Sequence, residues 1–390
     1  MRVTHAFRLP PTPSSLQWLA PLKSAQLQHV ARATGIQSSG TKAALLERIQ
    51  AGLANRAPPR NPGPDTHRSR DDWSILSIDM GIQNLAFAHL RVPNPRASHH
   101  GDGFRDSALP ELTAWRRLAV SEISSLDLVT ETDPASAIPL FAALSHAPER
   151  KSADAFSPDI YAVNAYTLIT TLLANYKPTH VLIERQRFRS SGGSAVQEWT
   201  LRVGVFEGML YAILHALRQE RGGDLTGVQV HGIEPKRVAR YWTEIDGVGV
   251  SDPDQSEKRK VSAREVKKAK IDLVGRWLTS SLHLKENNES VSSPETDFET
   301  MPVMNSDRVG QRKLSLGPGS SVELLANAYV QKWQKQNGKK KRSSAAAKAS
   351  DIGKLDDLAD CLLQGVTWVE WQVMREKLAR EGYEALDRLA

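Results

Sequence analysis

The sequence predicts an α/β protein, a mixed sheet flanked by helices, with a small all-α module in front of it. Three observations carry that prediction. A run that reads as a buried strand, Trp73 to Ile78, ends on Asp79, reverses through Gly81 and Asn84, and resumes as an apolar strand over 85–90. A second short apolar strand, from His180 to Gln186, lies between two long segments whose apolar residues recur at helical spacing, 158–176 and 194–221. Ahead of both, residues 14–53 hold two short helical patterns separated by Gly35 and Gly40.

Composition narrows the class. A chain of 390 residues suggests two or three structural units. Hydrophobic residues at 40% and aromatics at 6% supply one good core and leave some of the chain unstructured. A net charge of +7 and a pI near 9.4 favour an anionic partner, nucleic acid first. The single cysteine, Cys361, excludes an internal disulfide and a Cys-based zinc site, and fits a reducing compartment. No apolar run approaches the ~20 residues of a bilayer span, so no membrane association is expected. From Met1 to Leu46 there is no acidic residue, while Arg2, Arg8, Lys23 and Arg32 are present. That acid-poor, Arg-bearing character predicts mitochondrial targeting through a segment at 1–13; the alternative is a plain tail.

Within 14–53, Leu16, Leu19, Leu22, Leu27, Val30 and Ala31 fall at helical spacing, Gly35 ends that helix, and Thr41 caps a second one with Leu45, Leu46 and Ile49 on one face. The stretch LKSAQLQHVARATGIQSSGTKAALLERI, with Leu27, Gly35, Gly40, Lys42, Leu45 and Arg48 in pattern, resembles a SAP domain, a small helix-turn-helix DNA-binding module. A helix starting at Thr41-Lys42 offers free backbone N–H groups and a lysine to a phosphate. The alternative is a helical hairpin used for protein docking. Residues 54–71, rich in Pro, Arg and Asn, read as a linker that tethers this module loosely.

The remainder, 72–390, reads as one larger domain. A third strand is expected over 112–120, an elaborated loop over 121–157, and a strand from Val228 to Ile233. A basic, aromatic helix follows from Pro235, bringing Lys236, Arg237 and Arg240 to the same edge. Ser262 to Thr279 is a helix with Val266, Ile271, Val274 and Leu278 in the core and a Lys/Arg-rich outer face. Residues 280–320 read as a disordered insertion, and a second lies near 337–351, whose Lys/Arg run is a DNA arm or a solvated linker. A final helix starts near Lys354.

The carboxylates carry the chemistry. An ionised Asp79 in a core strand is costly unless paired or metal-bound, although an Asp at a strand end also serves as a turn residue. Glu184 stands at the end of a middle strand. On the last helix Asp356 and Asp360 are i,i+4, and Asp357 and Asp360 are i,i+3; either pair converges on one face and repels unless a cation lies beside it. First-turn acids suit the helix dipole, which accounts for Asp356 and Asp357 but poorly for Asp360. A strand hairpin, then strand, helix, strand and helix in this order is the ribonuclease H-like arrangement, and it gathers these acids at one end of the sheet. Three or four carboxylates on rigid elements can hold two divalent ions about 3.5–4 Å apart for in-line phosphodiester displacement. The all-oxygen ligand set favours Mg²⁺, with Mn²⁺ as a substitute. Directly after Glu184 come Arg185, Arg187, Phe188, Arg189 and the pair Gly192-Gly193. They suit a phosphate-lined rim with an aromatic able to stack on an unpaired base, or else a solvated basic loop. Lys354, or an arginine from Arg185 to Arg189, is expected to stabilise transition-state charge.

Three stretches, SIDMGIQNLAFAHL, VLIERQRFRSSG and KLDDLADCLLQG, in this order behind a SAP-like module, resemble the fungal mitochondrial Holliday junction resolvases, relatives of bacterial RuvC. The resemblance implies a homodimer that cuts four-way DNA junctions symmetrically. By position it makes Asp79, Glu184 and Asp360 metal ligands. For the fourth, the D-x-x-D pattern favours Asp357 and an i,i+4 pairing favours Asp356. Two other readings remain: an architectural protein that binds junctions without cutting, and a different ribonuclease H-like nuclease.

Overall fold

The computed structural model describes residues 14–54, 72–92, 109–125, 157–186, 198–222, 225–245, 262–290, 313–338 and 352–387. The expected targeting segment 1–13, nearly all of the linker, most of the 121–157 loop, the strip from Arg187 to Gly193 and the Lys/Arg run after Gly338 lie outside the described residues.

Six strands form one sheet: β1 (Trp73–Asp79), β2 (Leu85–Val92), β3 (Glu111–Leu118), β4 (His180–Glu184), β5 (Gln229–Ile233) and β6 (Ser315–Leu316). Their spatial order is β5-β4-β1-β2-β3-β6. The hairpin β1–β2 and the pair β2–β3 are antiparallel, whereas β4 runs parallel to both β1 and β5. This is the ribonuclease H-like mixed sheet. One face is covered by α3 (Pro158–Tyr176) and α4 (Glu198–Arg221). The other is covered by α5 (Pro235–Ile245), α6 (Ala263–Ser290), α7 (Ser320–Gln336) and α8 (Leu355–Glu381). Because helices cover both faces, all seven residues of β1 are buried. Their side chains alternate: Leu76 and Ile78 join the α3/α4 core, while Trp73 and Ile75 join the α8 core.

The 280–320 expectation needs correction at its two ends; residues 291–312 lie outside the described residues. Helix α6 continues to Ser290, and β6 pairs in parallel with Glu111 and Leu112. Leu314 is fully buried and its carbonyl accepts a hydrogen bond from Ser281 Oγ at 2.8 Å. Two-residue pairing leaves no periodicity to detect. A second correction concerns α4. By length and composition it is apolar enough to cross a membrane. Its Val203, Phe206, Leu210, Leu214 and Leu217 are spent on the sheet, however, in the α3/α4 core.

The N-terminal module is not loosely tethered. Helices α1 (Ser24–Ala33) and α2 (Lys42–Ala54) share a core with Met374 and Leu378 of α8 and with Ala385 and Leu386 of α9 (Glu384–Asp387). The turn after α1 is seated on α8: Arg375 Nε donates to Thr34 O at 2.9 Å and Arg237 Nη1 donates to Gly35 O at 3.2 Å. Gly35 has φ +66°, and a Cβ there would stand 2.2 Å from the Trp371 ring. Linker composition reports how freely a tether could move, not whether the module at its end has an apolar surface to dock.

Candidate active site

Asp79 follows Ile75 and Ser77 on the side of β1 that faces α8, and Glu184 follows His180 and Leu182 on the same side of β4. The two strands are parallel neighbours with Ile78 opposite Ile183, so both acids emerge at the same sheet end. Helix α8 crosses that face and delivers Asp357 and Asp360 from its first turns. Its approach is fixed by Trp115 Nε1, which donates to Leu358 O at 3.0 Å, and by Gly365, where a Cβ would come within 2.7 Å of Leu90 Cδ1.

These acids sense one another. Burial first, and then the hydrogen bond with Glu184, hold the Asp79 carboxyl well above the usual range; the charges of Asp360 and Asp357 add to the shift. Burial also raises Glu184, and the bond with Asp79 offsets part of that rise. Asp360, raised by burial, is steadied by Lys270, whose Nζ lies 2.8 Å from Asp360 Oδ1. Asp357 is pushed up to about 6 by burial and by Asp356, with Arg117 pulling the other way. Arg117 Nη1 stands 3.7 Å from Asp357 Oδ2, an ion pair without a hydrogen bond; among the described residues that buried oxygen has no hydrogen-bond partner. Asp356 pairs with Lys267 of α6, as Asp360 does with Lys270.

The donor set fits a divalent cation. Four carboxylates from three elements lie near one another, Asp79 buried and the others partly so, and one carries an unsatisfied oxygen. Among the described residues no three His, Cys, Asp or Glu side chains are gathered closely enough to enclose an ion as they stand. Lys270 is held on Asp360, beside the set.

Of the other expected site residues, Lys42 is exposed at the start of α2, beside Thr41, whose Oγ1 accepts from Ala44 N at 3.3 Å. Lys236 and Arg240 are exposed on α5, and Lys354 is exposed just before α8, close enough to Asp357 to favour its ionised form. Arg237 is drawn instead into the docking contact, bound to Gly35 O and to Glu234. Arg185 packs beside Gly232 and Tyr211, and its charge opposes the burial that raises the Glu207 carboxyl, so it lies on the α4 side of the sheet and not in the acid cluster. Arg187, Phe188 and Arg189 lie outside the described residues. Sequence reasoning missed Lys267 and Lys270, which it left on the outer face of α6. The available signal was their one-turn spacing, which matches that of Asp356 and Asp360 on α8.

The strand order, with helices on both faces, makes this an α/β protein of the ribonuclease H-like class. The chain belongs to the mitochondrial resolvase Ydc2 / RNA splicing MRS1 family, whose model matches residues 75–378, and a SAP-domain model matches residues 22–51. It is 26% identical over 276 residues to the mitochondrial cruciform cutting endonuclease 1 of Schizosaccharomyces pombe, covering 70% of this chain and 82% of that protein. It is 23% identical over 302 residues to the protein of the same name from Saccharomyces cerevisiae, covering 76% and 68%. The crystal structure of the yeast mitochondrial Holliday junction resolvase Ydc2 aligns with a TM-score of 0.46 and 20% identity, over 94% of this chain and 99% of that one.

Proposed function

We propose that this protein is a mitochondrial, metal-dependent endonuclease that resolves four-way DNA junctions, with Asp79, Glu184, Asp357 and Asp360 as the cation ligands. The observation that carries this reading is the convergence of those four acids from β1, β4 and α8, in a chain whose relatives are named for cutting cruciform DNA. Mg²⁺, two ions per site, would supply Lewis-acid polarisation of the phosphate and an activated water. The chain's own part is rigidity and charge. Asp79 and Glu184 sit on paired central strands, where their carboxylates would hold the ion. Lys270 and Arg117, held on Asp360 and Asp357, are the cations beside the site that would be available to a phosphate. Lys42, Lys236, Arg240 and Lys354 give the DNA backbone an exposed cationic track.

A homodimer is part of this reading. On the outer side of α3 and α4, Val163 is 61% exposed and Val205 49%, and around Gly204 and Gly208 there is open space. A second copy suits this apolar face, because two opposed strands must be cut together.

The family description also joins a resolvase to an RNA-splicing protein, which favours nucleic-acid binding without cutting as the second reading. Incubating wild type and Asp79→Asn with Mg²⁺ and a four-way junction, beside a linear duplex of the same sequence, separates them. Junction-selective cutting by wild type alone is expected; binding without cutting by both supports the second reading. Val163→Glu, sized in solution, should be monomeric.

A further inference from the structure

The acids of the site sit on three elements far apart in sequence, and one buried amide touches all three. Gln364 lies on α8 one turn beyond Asp360 and is 3% exposed. Its Nε2 donates to Ser77 Oγ at 3.0 Å and to Ile78 O at 3.1 Å, with Leu182 O at 3.5 Å on the edge of reach. Ser77 Oγ in turn donates to Cys361 O at 2.8 Å. Ile78 immediately precedes Asp79, Leu182 stands two residues before Glu184, and Cys361 follows Asp360. The close approach that makes these bonds possible comes from Gly365, whose missing side chain lets α8 lie against Ser77 and Leu90.

The surroundings of Gln364 are apolar: Leu358, Leu362, Leu363 and Val366 are buried along the same helix. Those contacts keep α8 on the sheet, but apolar burial is non-directional and tolerates a slide along the helix axis. Hydrogen bonds have fixed lengths and angles, and a core that only needed volume would be served by an apolar residue of similar size. We propose that Gln364 and Ser77 are positioning residues that set the register of α8 against β1 and β4, and so hold Asp357 and Asp360 in register with Asp79 and Glu184. The proposal rests on the reading of those four acids as the cation site.

The test uses the full chain with Gln364→Met, which keeps the length and loses the donors, and Ser77→Ala, a smaller change that keeps both backbone acceptors of Gln364. Mn²⁺ affinity is measured by titration without DNA, single-turnover cleavage is measured at saturating Mg²⁺, and junction binding is measured in EDTA. Loss of a group that orients metal ligands costs roughly 10–100-fold in metal affinity or activity. Losses of that size are expected for Gln364→Met in the first two measurements, smaller ones for Ser77→Ala, with junction binding unchanged within about twofold. A merely structural role would lower the melting temperature of both variants and leave the Mn²⁺ affinity of the folded protein at the wild-type value; that result overturns the proposal, for Ser77→Ala alone if Gln364→Met does not fold. Asp79→Asn is run in parallel. If it binds Mn²⁺ and cuts like wild type, the acid-site reading itself fails. If it is inactive while Gln364→Met matches wild type, the reading stands and the positioning role is wrong.

Discussion

Lys270 Nζ lies 2.8 Å from Asp360 Oδ1, so an ammonium from α6 occupies the side of the acid cluster where a divalent ion would compete for the same oxygen. The nearby charges of Asp360, Glu184 and Asp79 all raise the Lys270 pKa, against a burial that lowers it. Lys270→Met should therefore act in two directions. The metal-free protein should lose about 1–3 kcal/mol, because a largely buried carboxylate loses its charged partner. Divalent affinity should rise, because the competing cation is gone. Thermal melts in EDTA and a Mn²⁺ titration check both; weaker Mn²⁺ binding would show that Lys270 supports the site instead of competing for it.

The two neighbouring acids on α8 should behave differently. Asp357 contributes to the raised pKa of Asp79 and carries the unsatisfied oxygen, whereas Asp356 is paired with Lys267 on the side of α6. Asp357→Asn is expected to lower single-turnover cleavage by at least ~100-fold, on the scale of losing one preorganised charge-stabilising group. Asp356→Asn should stay within a few-fold of wild type. The reverse ranking on a four-way junction would move the fourth ligand to Asp356.

Docking of the N-terminal module depends on Gly35. A methyl group there would need left-handed backbone and would overlap the Trp371 ring. Gly35→Ala should release the α1–α2 hairpin from α8, exposing Met374 and Leu378. Hydrogen exchange over 24–54 should rise sharply, and protease should cut between α2 and β1. Removal of residues 1–53 should likewise expose that apolar surface and promote aggregation. Unchanged exchange in Gly35→Ala would mean that the turn can rearrange around the tryptophan.

Two stacked histidines on adjacent strands give a pH prediction. His180 and His231 have ring centroids 5.8 Å apart against Trp368, and neither Nε2 has a hydrogen-bond partner among the described residues. Burial first, and then the charge of its neighbour (His231 for His180, Arg375 for His231), lowers His180 to about 3 and His231 to about 4. Below about pH 6.5 the unfolded chain takes up protons that the folded one refuses. Stability should therefore fall as pH drops from about 6.5 towards 4, at up to roughly 1.4 kcal/mol per pH unit for each histidine. Melting curves across that range for wild type and His180→Phe, which removes one of the two groups, should differ in slope and converge above pH 7. Parallel curves would show that these groups do not govern the acid limb.

Much of this was legible before any fold was known. The β1–β2 hairpin was visible because Gly81 and Asn84 interrupt two apolar runs. Glu184 was visible because a carboxylate ends a short run of Val, Leu and Ile. The α8 acids stood out because like charges repeat one turn apart on an otherwise apolar helix. Less visible was anything set by contacts between distant segments. Lys270 reads as one more solvated lysine in a basic helix, and Arg237 as one more DNA-facing arginine, until α8 and the Gly35 turn are placed beside them.

The sequence alone therefore determined which residues are acids on rigid elements, in which order the elements follow, and that a small helical module precedes them, because periodicity, turn chemistry and the cost of buried charge are all local. The tertiary structure decided what those acids face. Strand alternation turned Asp79 and Glu184 to the α8 side, α6 set Lys267 on Asp356 and Lys270 on Asp360, and packing on Trp371 fixed the module that the linker was expected to leave loose. Each of these outcomes depends on the relative placement of segments far apart in the chain, and no local pattern encodes that.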